Sequence, residues 1–134
     1  MRETSDGLMN LALFAIDHAT SSVVPRGGPL IPFAVIEKDG DRDLHRFEVG
    51  RLEAMVAAGR HFVREQNDLD RVAFAWDGYL SLDGERSDAV FVEASDAHAP
   101  SSVILAQCYA TRGRFHTRTF AVGQPVHMGT GNLF

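Results

Sequence analysis

Apolar and polar positions alternate most regularly over residues 71–94, RVAFAWDGYLSLDGERSDAVFVEA. Val72, Phe74, Trp76, Leu80 and Leu82 share one parity, and Ala73, Ala75, Tyr79 and Ser81 share the other. Side chains alternate across a strand, so this spacing predicts a strand with one bulky and one mostly small face. Val90, Val92 and Ala94 against Ala89, Phe91 and Glu93 repeat the idea. Asp83-Gly84 between the two runs predicts a tight hairpin turn, since both residue types tolerate positive φ. The pair is expected to form the middle of one sheet.

The pattern changes period elsewhere. Leu8, Leu11, Ala12, Ala15 and Ala19 recur at helical spacing over residues 5–20. Met9, Leu13 and Ile16 widen that stripe until little polar face remains, which predicts a helix buried on more than one side. Residues 24–29, VPRGGP, read as a loop. Strands are expected over 31–38 and 44–49, with KDGDRD between them. Asp39, Asp41 and Asp43 imitate the start of a calcium loop, but Leu44 and Gly50 stand where that loop needs glycine and glutamate. Leu52, Met55, Val56, Gly59, Phe62 and Val63 predict an amphipathic helix over 50–66. Two further strands follow, over 102–111 and 115–122, and residues 123–134 read as an irregular tail.

The fold expected is therefore α+β, a single domain over residues 1–134. Two helices pack on a mostly antiparallel sheet of about six strands, in the order α-β-β-α-β-β-β-β. Both faces of the central strands are apolar. The parity assigns Val72, Phe74, Trp76, Val90, Val92, Val103 and Leu105 to a bulky face, and Ala73, Ala75, Ala89, Ala106, Cys108 and Ala110, with Phe91 and Ile104, to the other. A sheet with one wet face alternates apolar with polar, and this one hardly does. With two helices on one face, the other needs the tail, a curl of the sheet or a second chain. A twofold homodimer is the expected answer.

Composition narrows the classes. A length of 134 residues suits one domain. A net charge of −5 disfavours a general nucleic-acid binder. One cysteine, Cys108, allows no internal disulfide and suits a reducing, cytoplasmic setting. The run over 8–16 lacks a basic leader and is closed by Asp17 and His18, so it reads as a helix of the mature fold. No run reaches the roughly 20 apolar residues of a membrane span.

Candidate chemistry is sparse. The six histidines show no metal-ligand spacing, and no cofactor motif is present. Cys108 lies mid-strand among alanines, the setting of a buried structural thiol. Two clusters could meet a polar ligand. Asp77, Tyr79, Arg86, Asp88 and Glu93 gather around the central hairpin, where a carboxylate could serve as acid or base or in a strand-end ion pair. Arg112, Arg114 and Arg118, with His116, alternate along the last hairpin. Such a stripe holds an anion or an acidic partner, or keeps an edge strand from aggregating.

The sequence thus reads as a non-enzymatic, homo-oligomeric binding or adaptor module without cofactor or metal. Its partners would be a second copy and, beyond that, another protein. The alternative is a small-molecule-binding protein or enzyme with a pocket between sheet and helices or at a subunit interface.

Overall fold

The computed structural model describes residues 6–48, 50–97, 99, 101–113 and 118–131. It contains α1 (Asp6–Val23), β1 (Phe33–Lys38), β2 (Asp41–Arg46), α2 (Leu52–Glu65), β3 (Arg71–Leu82), β4 (Glu85–Asp96), β5 (Ser102–Arg112) and β6 (Arg118–Gly131). The element order is the one the pattern predicts. The six strands form one antiparallel sheet in the order β2-β1-β3-β4-β5-β6. Both predicted hairpin turns are present. Asp39-Gly40 has φ of 51° and 85°, and Asp83-Gly84 has φ of 51° and 82°. Two successive positive φ angles match the strand twist, and aspartate and glycine tolerate them best.

The helices do not share a face. α1 lies across β3, β4 and β5 and buries Leu8, Leu11, Ala12, Ala15, Ile16 and Ala19 against Ala73, Ala75, Val92, Ala94, Val103 and Leu105. α2 lies on the other side, over β1 and β3, with Val56, Phe62 and Val63 against Ala34, Ile36, Val72 and Phe74. These two sides are called the α1 face and the α2 face below.

Strand register corrects the grouping of side chains drawn from parity. Ala73 stands opposite Ala94, Ala75 opposite Val92, and Val92 opposite Leu105. Directly opposed residues point to the same side of a sheet. The small residues of β3 therefore share the α1 face with the valines of β4, where small size on both surfaces lets α1 approach closely. The bulky residues of β3 lie on the α2 face, where Trp76 stands opposite Phe91 and Phe91 opposite Ala106. Parity within one strand cannot reveal this, because register is set between strands. α1 is also less enclosed than its sequence suggests: Leu13 and Phe14 are 47% and 40% exposed.

The stretch 123–131, expected to be an irregular tail, continues β6. Two register shifts absorb its awkward residues, one between Ile104 and Leu105 and one between Ala106 and Cys108. Bulges of this kind allow a strand to carry Gly123, with φ 71°, and Pro125. Gln107 is buried here, and its side-chain amide donates to the Val122 and Gly123 carbonyls at 3.0 and 3.3 Å. Leu133 and Phe134 lie outside the described residues. Among the described residues no helix is long and apolar enough to cross a membrane.

Candidate functional site

The loop over 24–31 connects α1 to β1 and is held at several points. Gly27 N–H donates to the Val23 carbonyl at 2.6 Å, and Thr119 N–H donates to the Pro25 carbonyl at 2.8 Å. Leu30 N–H donates to Asp77 Oδ2 at 2.6 Å. Gly28 allows this close seating: a Cβ there would stand 2.6 Å from Tyr109 Oη and 3.0 Å from Asp77 Oδ2. A sequence reading treats this loop as a bland linker, whereas the structure makes it one wall of a cleft.

That cleft has a volume of about 660 Å³. The last turn of α1 contributes Ser21 and Ser22, and the loop contributes Val24, Pro25, Arg26, Pro29, Leu30 and Ile31. Phe33 and Arg46 come from β1 and β2, and Glu48 follows β2. Phe33 and Arg46 are register partners, so both side chains project on the α1 face. Nothing in the sequence links Arg26, Arg46 and Glu48. Only the β1–β2 hairpin and the path of the loop bring them together.

The hairpin candidates separate into two groups. Asp77, Tyr79, Arg86 and Asp88 lie on the α1 face, beyond the end of the helix. Tyr79 stands opposite Asp88, and Asp77 opposite Val90. The Tyr109 hydroxyl donates to Asp77 at 2.9 and 3.0 Å. Burial raises the Asp77 carboxyl above its ordinary value, and the Asp88 charge adds to this. The Leu30 N–H, the Tyr109 hydroxyl and the Gly78 N–H act in the opposite direction. Burial and the Asp77 carboxylate push the Tyr109 hydroxyl up in turn. Asp77 is thus occupied in fastening the loop to the sheet. Arg86 lies 3.9 Å over the ring of Tyr79, which is 54% exposed.

Glu93 is on the other face and joins none of these groups. It is 4% exposed, accepts a 2.6 Å hydrogen bond from Ser102 Oγ, and meets Arg60 Nη1 at 3.3 Å. Arg60 comes from α2 and lies 4.8 Å over Trp76 and 5.4 Å over Phe74. Trp76 stacks in turn on Phe91, with ring centroids 5.4 Å apart. Two positions of the basic stripe fall among the described residues. Arg112 and Arg118 stand opposite one another across β5 and β6, and Arg112 lies 5.6 Å over the Phe120 ring. Arg114 lies outside the described residues, as does His116.

The remaining feature is a surface. Among the described residues α2 packs chiefly over β1 and β3, and Arg60 reaches from it to Glu93 of β4. Beyond it, Phe91, Ile104, Cys108 and Ala110 are partly exposed. On β6, Phe120, Val122 and Val126 are 38%, 43% and 46% exposed, and they pair with Ala110, Cys108 and Ala106 on the same face. Leu80, Ala89 and Ala106 make a small buried cluster with Phe91 and Cys108 beneath this surface.

Among the described residues no group of three or more His, Cys, Asp or Glu side chains is placed to share a metal ion. The chain matches no family model, no curated protein and no solved structure.

Proposed function

We propose that the protein is a homo-oligomeric binding module whose second copy covers the open part of the α2 face. The observation that carries this reading is the continuous, partly exposed apolar surface of Phe91, Ile104, Cys108, Phe120, Val122 and Val126, over which neither helix packs closely among the described residues. Monomeric proteins seldom leave a large contiguous apolar patch in water.

The two sheet edges differ in a way that supports it. β2 is exposed at all six positions and carries Asp41, Arg42, Asp43, His45 and Arg46. Charges of that density block strand addition. From Thr119 to Gly131, β6 carries no Asp, Glu, Lys or Arg. Gly123, Pro125 and the register shifts interrupt its edge, so the contact expected is sheet face on sheet face. Leu105, which parity alone would place on this contact, is 5% exposed beneath α1 and takes no part in it.

Light scattering across a dilution series tests the reading. The wild-type chain is expected to persist as a dimer. Val122→Glu places a carboxylate on a position already 43% exposed, so the protomer still folds. That variant is expected to be monomeric with an unchanged circular-dichroism spectrum. A wild-type chain that is monomeric at every concentration overturns the proposal.

A further inference from the structure

The cleft beside the loop over 24–31 lies on the α1 face, away from the proposed association surface, and it has the chemistry of a ligand site. Its floor is apolar: Leu30 and Phe33 are 3% and 2% exposed, and Ile31 stands at the rim. Its polar groups include two arginines from separate elements, Arg26 of the loop and Arg46 of β2. Among the described residues neither guanidinium has an ion-pair partner, so both are free to meet a ligand. Two guanidinium groups at one cleft give it a positive potential that favours an anionic ligand. A guanidinium matches the planar fork of a carboxylate better than any other cationic side chain does.

Glu48 limits the charge of the occupant. With two arginines and one glutamate, the cleft carries a single surplus positive charge. A second negative charge on the ligand would meet the Glu48 carboxylate. The volume of about 660 Å³ suits a small organic molecule. The walls are already in place, because Val23, Asp77 and Thr119 hold the loop by hydrogen bonds at 2.6, 2.6 and 2.8 Å. A ligand entering a preformed cleft does not bear the cost of ordering it.

We propose that this cleft binds small amphipathic monocarboxylates, with the carboxylate on Arg26 and Arg46 and the apolar body against Leu30, Ile31 and Phe33. Calorimetric titration of the full chain with phenylacetate, isovalerate, phenylacetamide and inorganic phosphate tests it. At least one of the two carboxylates is expected to bind saturably, and phenylacetamide is expected to bind about tenfold more weakly than phenylacetate, having lost the charge-assisted hydrogen bonds. Arg26→Gln and Arg46→Gln are each expected to weaken binding about tenfold, and the double variant to abolish it. Both arginines are exposed, so the variants are expected to melt with the wild type. The proposal is overturned by amide binding as tight as carboxylate binding, by an unaffected double variant, by a preference for phosphate, or by no binding of either carboxylate. Solution mass does not enter this measurement, so it stands or falls apart from the self-association reading.

Discussion

The Tyr109 hydroxyl reaches across β4 to the Asp77 carboxylate on β3, at 2.9 and 3.0 Å from its two oxygens. The same carboxylate accepts the Leu30 N–H, so one side chain fastens β5 and the loop after α1 to the middle of the sheet. Tyr109→Phe keeps the ring and removes the donor. A partly buried acceptor that loses a partner costs about 1–3 kcal/mol. Urea unfolding is expected to show a loss in that range, and hydrogen exchange at the Leu30 amide is expected to quicken.

Two carboxylates should respond to pH with opposite signs. Asp77 is raised, with burial as the main cause. A group raised in the folded state contributes stability that is full below its unfolded pKa and is lost as pH rises through the folded one. The stability difference between wild type and Asp77→Asn should therefore move in favour of wild type on acidification from neutrality toward about pH 4. Burial acts to raise Glu37 as well, but hydrogen bonds from Arg42 and Arg71, with their charges, hold it below its ordinary value. Its contribution is present above the unfolded pKa and is lost as pH falls through the folded one. The advantage of wild type over Glu37→Gln should shrink below about pH 4. Melting temperatures of the three proteins across one pH series check both signs.

The Arg60–Glu93 pair is worth more for what its loss exposes than for its own attraction. Arg60→Met retains an apolar stem over Trp76 but leaves the Glu93 carboxylate buried with Ser102 alone. Stranding a buried charge costs about 3–5 kcal/mol. Adding Glu93→Gln to Arg60→Met should restore more than half of that loss, because no charge is then left without a partner. Chemical denaturation of the two single variants and the double variant decides it. Additive losses would contradict this account.

Gly59 sits where α2 crosses β3. A Cβ there would overlap the Phe74 ring and come within 3.1 Å of the Phe47 ring. Phe74 is fully buried and cannot retreat. Alanine is the better helix former by about 1 kcal/mol. Forcing extra volume into a packed contact costs about 1–3 kcal/mol. Gly59→Ala is expected to be destabilising on balance, read as a fall in melting temperature with helical content retained.

His18 carries an unsatisfied ring nitrogen at the edge of the core. Its Nε2 is buried with no hydrogen-bond partner among the described residues, and its ring lies 5.1 Å from Phe33 and 6.2 Å from Phe14. His18→Phe replaces an unsatisfied polar atom with carbon among aromatic neighbours. The variant is expected to gain about 1 kcal/mol in urea unfolding.

The element order and the two Asp-Gly turns were legible in the sequence because both are local properties. Leu52, Val56, Gly59 and Val63 mark α2 through spacing alone, and Asp83-Gly84 marks its turn through backbone tolerance. The distribution of the helices over the two faces was not legible, because it depends on pairings such as Ala75 with Val92. Residues 123–131 were misread as a tail because Gly123 and Pro125 look like breakers until bulges accommodate them. Of the hairpin candidates, parity puts Asp77 and Tyr79 on one face of β3, but only the register with β4 sets Arg86 and Asp88 beside them and Glu93 on the other face. Tyr109 as the partner of Asp77 depends on β5 lying beyond β4. Arg26 and Arg46 meet only through a loop whose course no residue pattern records.

The strand order also has a kinetic consequence. β2, β4, β5 and β6 are each neighbours of the strand that precedes them in the chain, so their pairing closes short loops. β3 is the exception: its ladder to β1 joins Val72 to Ile36 and spans β2 and α2. Closing the longer loop costs more chain entropy, and contacts of large sequence separation slow folding. α1 must likewise reach β4 and β5 from the far end of the chain. The meander can therefore assemble as a local unit, while the docking of β1 and α1 onto it is the step that completes the native state. The cleft exists only after that step, since its walls come from α1, the loop and the β1–β2 hairpin.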